Sequence, residues 1–136
     1  MKNRIIILLL SFLLFQTLSA ENLNIKSKNI TLDKKTRLTI FKDSVEAVDE
    51  NENIFKTNYA EYNKDLKLLK SEGETSIITS EGYNISGKNI TFDNNNKLIK
   101  SEDPAKIIDL ENNEIFLERF EYSTKNNFFK STGNIK

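Results

Sequence analysis

The feature that most constrains this chain is a phrase used twice. Lys28-Asn29-Ile30-Thr31-Leu32-Asp33 returns as Lys88-Asn89-Ile90-Thr91-Phe92-Asp93, sixty residues on. The same offset pairs Asp49 with Asp109, Asn53 with Asn113, Glu61-Tyr62 with Glu121-Tyr122, and Lys70-Ser71-x-Gly73 with Lys130-Ser131-x-Gly133, without a gap. A period kept over this length marks a duplicated structural unit. Half the period is also visible. Ile25, Phe55, Ile85 and Ile115 stand thirty apart, as do Ile30, Ala60, Ile90 and Phe120, and then Leu32, Tyr62, Phe92 and Tyr122.

Each unit reads as strand, turn, strand and a longer connection. Ile30 and Leu32 alternate with Asn29, Thr31 and Asp33, the period of two expected of a half-buried strand. Asp33, Asn63, Asp93 and Ser123 close the first strand of each unit, and Leu38, Leu68, Leu98 and Phe128 reopen an apolar run. Asp and Asn suit hairpin turns because their side chains bond the turn backbone. Asp49-Glu50-Asn51-Glu52-Asn53 predicts a longer turn of the same kind. The helical propensity of Tyr59 to Leu69 is overridden, because its repeats are not helical. Gly73 and Gly133 predict bends with an unusual backbone angle, Gly87 a tolerated replacement for Ser27, and Pro104 a break in pairing.

Residues 1–20 read as an export signal rather than as part of the fold. Lys2 and Arg4 precede the apolar run Ile5 to Phe15, and Thr17-Leu18-Ser19-Ala20 supplies small residues for cleavage. Residues 21–136 then form one domain, expected to be incomplete at its C-terminus. Removing the signal takes away Lys2 and Arg4 and no acid, so the remainder of a chain with 20 bases and 20 acids is slightly acidic. That balance argues against a nucleic-acid partner, which calls for a concentrated basic face.

The chain contains no Cys and no His. Cys–His and Ser–His catalysis, Cys/His zinc sites and disulfides are excluded. The acidic turns lack the central Gly and terminal Glu of an EF-hand loop, so they read as turns, with no metal and no cofactor expected. Acid pairs such as Asp43 with Glu46 and Glu118 with Glu121 read as surface charge, and no enzyme is expected.

The repeat Tyr59-Ala60-Glu61-Tyr62-Asn63 with Leu69-Lys70-Ser71-Glu72-Gly73, and its counterpart Phe120-Glu121-Tyr122-Ser123 with Phe129-Lys130-Ser131-Thr132-Gly133-Asn134-Ile135, resembles the OstA-like repeat of lipopolysaccharide-transport proteins. Ile54 to Tyr62 and Ile107 to Phe116 are similar to the periplasmic N-terminal region found in the LptD branch of that family. The resemblance implies an all-β fold, an open β-jellyroll of two-strand repeats about 30 residues long. It implies an exported, non-catalytic domain in the periplasm, or at the outer membrane, whose V-shaped pair of sheets receives the acyl chains of lipopolysaccharide. The implied lining is Ile30, Leu32, Ala60, Tyr62, Ile90, Phe92, Phe120 and Tyr122, with Leu38, Leu68, Leu98 and Phe128 from the second strands. Implied partners are lipopolysaccharide, a neighbouring jellyroll paired through the strand edge near Leu23 to Ile30, and an outer-membrane barrel if the chain continues. A stand-alone bridge of the LptA kind, and a structural or adhesive repeat protein with a dry core, are the alternatives.

Overall fold

The computed structural model describes residues 23–136; the export signal read in residues 1–20 lies outside them. Twelve antiparallel strands follow the repeat: β1 (Leu23–Lys26), β2 (Asn29–Asp33), β3 (Leu38–Asp49), β4 (Ile54–Asn63), β5 (Leu68–Ser71), β6 (Glu74–Ile78), β7 (Asn84–Lys88), β8 (Thr91–Asp93), β9 (Leu98–Ser101), β10 (Ala105–Ile108), β11 (Glu114–Ser123) and β12 (Phe128–Ile135).

They form one sheet folded on itself. One half runs β2-β3-β4-β5-β8-β9-β11-β12, and the other runs β1-β3-β4-β6-β7-β10-β11-β12. The long strands β3, β4, β11 and β12 cross between the halves, while the others do so as the short pairs β1/β2, β5/β6, β7/β8 and β9/β10. The result is eight stacked layers, each bent once.

The bends fall on one line because they recur in the sequence at the repeat length. In β3 the pairing slips between Lys42 and Val45, where Asp43 and Ser44 take positive φ of 63° and 54°. Thirty residues on from Asp43, Gly73 (φ 81°) joins β5 to β6, and sixty further on Gly133 (φ 105°) bends β12. Both glycines thus meet the expectation of an unusual backbone angle, one that a residue with a Cβ adopts only at a cost. Side chains pin the line at sixty-residue intervals. Asn29 Nδ2 donates to Asp43 Oδ2 at 2.7 Å, and Asn89 Nδ2 donates to Asp103 Oδ2 at 2.8 Å. Pro104 lies between β9 and β10, at the break foreseen for it. Gly87 is more than tolerated: a Cβ there would stand 3.3 Å from Ala105 Cβ, across the buried face.

The far ends of the hairpins repeat as closely. Asp33, Asn63, Asp93 and Ser123 each accept, through a side-chain oxygen, the backbone N–H three residues ahead. Arg37, Lys67, Lys97 and Asn127 then close the four turns with φ between 51° and 59°. The long loops are also alike. Asp49 Oδ1 accepts the N–H groups of Asn51 and Asn53, and Asp109 Oδ1 those of Glu111 and Asn113, all at 2.8–3.0 Å.

Cross-strand partners share a face, so the register names the core. In the first half one inward row is Leu32, Thr39, Tyr62, Leu69, Phe92, Ile99, Tyr122 and Phe129. In the second half the matching row is Ile25, Ala47, Phe55, Ile77, Ile85, Ile107 and Ile115. Leu38, Leu68, Leu98 and Phe128 belong to neither. The turn places Leu38 opposite Asp33 and Leu68 opposite Asn63 and Asp93, on the outer face. Leu98 and Phe128 pair with Ser123 in the same outer row. Their sequence assignment to the interior is therefore corrected by one residue, to Thr39, Leu69, Ile99 and Phe129. Replacing Leu69 by Ala should cost about 2–5 kcal/mol of unfolding free energy, and Leu68 by Ala no more than about 1. Urea melts of both variants measure this; equal losses would put the face assignment in error.

Candidate functional site: the apolar interior and its ends

The space between the two halves is lined by apolar side chains from every layer. Leu69, Ile77, Ile85, Ile90 and Tyr122 are fully buried there, with Phe92, Ile99 and Phe120 close to it. At the outermost layers the same rows reach solvent. Ile30 and Leu32 in β2 are 59 % and 61 % exposed, although they are the sequence equivalents of the buried Ile90 and Phe92. Ile135, the inward residue opposite Leu117 near the end of β12, is 63 % exposed. The interior is thus a continuous apolar core whose two ends, among the described residues, carry uncovered apolar residues.

Of the lining foreseen from sequence, the structure brings Ile30, Leu32, Ala60, Tyr62, Ile90, Phe92, Phe120 and Tyr122 to this one face. Leu38, Leu68, Leu98 and Phe128 are absent from it, Phe128 lying 63 % exposed on the outside. The second-half row from Ile25 to Ile115 was missing from that lining. Its signal was present in the thirty-residue spacing of Ile25, Phe55, Ile85 and Ile115.

Opposite the corner line, the two halves meet along a seam of loops. Lys97 Nζ lies 2.7 Å from Glu50 Oε1, Asn51 Nδ2 donates to the Thr124 carbonyl at 3.2 Å, and Asn127 Nδ2 donates to Glu81 Oε1 at 2.9 Å. Asp49, Asn53, Thr79, Asn94 and Thr124 are buried beneath these contacts. Tyr122 spans from core to seam: its ring stacks on Phe129 at 4.4 Å, and its hydroxyl donates to Asn127 Oδ1. Burial raises the pKa of that hydroxyl, with the negative charge of Glu81 adding to the effect. Among the described residues no buried side-chain polar atom lacks a partner.

The acids do structural work. Asp43 accepts from Asn29, Glu46 lies 3.6 Å from Lys56 Nζ, and Glu118 accepts from Asn134. Among the described residues no group of three or more acids is placed to hold a metal ion. Two cavities of about 590 and 530 Å³ run beside the corner line, lined by residues such as Lys88, Asp103 and Phe116, and Ser44, Asn58 and Ser76; neither is lined by Leu69, Ile77 or Ile99.

The architecture matches a solved protein. LptH from Pseudomonas aeruginosa, described as the LptA-homologous periplasmic component of the lipopolysaccharide transport device, superposes with a TM-score of 0.68 over 82 % of each chain, at 16 % sequence identity. The fold is the LptA-like β-jellyroll. No protein-family model and no curated protein matches the sequence. The likeness therefore lies in the order of strands and in their bending, and the resemblance read from the repeat agrees with it.

Three turn aspartates contribute to the response to acid. Asp33 has a lowered pKa, chiefly from the N–H of Lys35, and Asp109 from the side-chain amide of Asn113. Asp93 is penalised by burial, yet bonds from Asn96 outweigh this and lower it too. A carboxylate with a folded pKa below its unfolded value adds stability above the unfolded pKa, and that stability is lost as pH falls through the folded one. With no histidine to titrate near neutrality, the melting temperature should be level from about pH 6 to 8 and fall below about pH 4. A step near pH 6.5 in a thermal melt series would contradict this.

Proposed function

We propose that this chain is a non-catalytic carrier domain that shelters the acyl chains of lipopolysaccharide between its two half-sheets on the way to the outer membrane. The observation that carries the reading is the apolar interior, contributed by every layer and uncovered at both ends. Ile30 and Leu32, on the inward face of the first layer, carry the apolar interior to the surface among the described residues. An acyl chain gains about 0.8 kcal/mol for each methylene hidden from water, so about a dozen carbons gain on the order of 10 kcal/mol in such a passage. The sugars, which are hydrated, stay outside. The shared fold supports the same reading, since LptH is described as a component of a lipopolysaccharide transport device.

The ends supply the continuity that a water-filled compartment demands. Among the described residues β1, β2 and β12 each pair on one side only, and pairing such edges with a neighbouring jellyroll would extend the apolar interior by strand addition. On this reading the chain belongs to a periplasmic bridge, either as a stand-alone unit of the LptA kind or as the entrance of a barrel protein of the LptD kind. Export by residues 1–20 is part of the same proposal.

One observation favours the rival reading of a structural repeat protein with a dry core: Leu69, Ile77 and Ile85 are already fully buried against one another's rows. A photo-reactive phenylalanine analogue separates the two. Placed at Phe92, which faces inward, it should capture lipopolysaccharide in cells; placed at Lys70, on the outer face, it should not. Capture at neither site, or equally at both, would sink the carrier reading.

A further inference from the structure

The two sides of the seam carry opposite charge. The hairpin turns of the first half, residues 33–37, 63–67, 93–97 and 123–127, hold seven bases and three acids. The long loops of the second half, residues 49–53, 79–83 and 109–113, hold six acids and no base. Turn chemistry accounts for Asp33, Asp49, Asp93 and Asp109, whose carboxylates bond backbone N–H groups. It does not account for the bases. The side chains of Lys34, Lys35, Lys64 and Lys67 make no ion pair or hydrogen bond among the described residues.

Opposite charge closes only part of the seam. The loop at Asp49 meets the turns at 93–97 and 123–127, and the loop at Glu81 meets the turn at 123–127. The turns at 33–37 and 63–67 touch no acidic loop through an ion pair or hydrogen bond among the described residues. These two turns hold five bases and two acids, and only Arg37 is answered, by Asp65 at 3.6 Å. Burial behind the turns divides in the same way. Phe92 and Tyr122, each one residue before a covered turn, are 2 % and 0 % exposed, whereas Leu32 is 61 % exposed and Tyr62 is half-buried. Among the loops, Asn53 is buried under its covering turns and its repeat Asn113 is exposed. The apolar interior therefore reaches solvent beside the turns whose bases are unpaired.

We propose that the turns at 33–37 and 63–67 form a cationic lip that binds phosphate groups on the head of the acylated cargo, and so fix which way that head faces. The inference rests on the carrier reading above and adds a polar subsite to it. A phosphate monoester carries a charge of about −1.5 to −2 and several strong acceptor oxygens near neutral pH, and lysine ammonium groups hold it as point charges. Lys34 and Lys64 follow Leu32 and Tyr62 by two residues, ~7 Å of extended backbone at most. An amphiphile with its tails against Leu32 and Tyr62 thus brings its head to the lip. The opposite lip, with acids alone, repels the same anion. The phosphates are thereby directed to the first-half side of the seam, and the uncharged part of the head to the other.

Capture by the photo-reactive residue at Phe92 tests the lip, on the exported protein with purified lipopolysaccharide and with the same material stripped of its phosphates. The triple variant Lys34→Glu, Lys35→Glu, Lys64→Glu changes exposed positions only. It should lower the apparent affinity for the phosphorylated form about tenfold, by an amount that shrinks as salt is raised. Affinity for the stripped form should stay unchanged, which also shows that the variant is folded. Glu52→Lys, on the opposite lip, should not weaken binding of the phosphorylated form. Inorganic phosphate should compete no better than chloride at equal ionic strength; stronger competition would make the lip a site for free phosphate and overturn the headgroup assignment. Equal loss for both forms, or no loss for either, overturns the lip while the carrier reading stands. Capture of neither form by the protein with its lysines intact overturns both.

Discussion

The constraint on which the structure depends is that every layer must change sheets at the same place. Eight layers can stack only if each bends on a common line, and neighbouring layers are joined by backbone hydrogen bonds on both sides of it. The repeat length is the device that secures this. Asp43, Gly73, Asp103 and Gly133 stand thirty residues apart, so a bend in one layer meets a bend in another. A single insertion within a strand would move its bend off the line and invert the side chains that follow in that strand, since its faces alternate with a period of two. The left-handed backbone at Asp43, Gly73 and Gly133 carries a local cost, which the ladders on either side outweigh.

That constraint explains which parts of the fold were legible in sequence. The turns were, because Asp33, Asn63, Asp93 and Ser123 act locally on backbone N–H groups three residues away. The first strand of each unit was, because Ile30, Leu32 and their repeats alternate cleanly with polar neighbours. The second strands were not. They open on the apolar doublets Leu68-Leu69, Leu98-Ile99 and Phe128-Phe129, in which hydropathy gives no preference for either residue. The length of the turn decides, and it sets the first residue of each doublet opposite Asp or Ser on the outer face.

Burial is a second quantity that composition does not contain. Ile30 and Ile90 sit in the same phrase, on the same face of equivalent strands, and differ by 59 percentage points of exposure. The difference arises from neighbours. Ile90 has layers on both sides, while Ile30 belongs to the first layer and has one. In a repeat protein the terminal units expose what the internal ones bury, and an uncapped terminal unit is normally a hazard for aggregation. The same asymmetry distinguishes the loop at Asp109 from the loop at Asp49, so the uncovered strand edge and the uncovered loop share one cause.

The two long sides of the apolar interior are held by different forces, and on the proposed function they differ in how readily they would part. Along the corner line the backbone itself crosses from half to half, as the unbroken strands β3, β4, β11 and β12 and as the short links between the paired strands. Separating the halves there would break the chain or its ladders. Along the seam they are joined by side chains of surface loops: Glu50 with Lys97, Asn51 with Thr124, and Glu81 with Asn127. Partly exposed ion pairs and hydrogen bonds of this kind contribute roughly 0–1.5 kcal/mol each. The gain on the order of 10 kcal/mol from burying one acyl chain exceeds their sum. The inward rows then exchange contact with each other for contact with the lipid, so opening at the seam leaves little apolar surface in water. On the proposed function the corner would be the hinge of such a movement, and the seam the side through which a chain would enter.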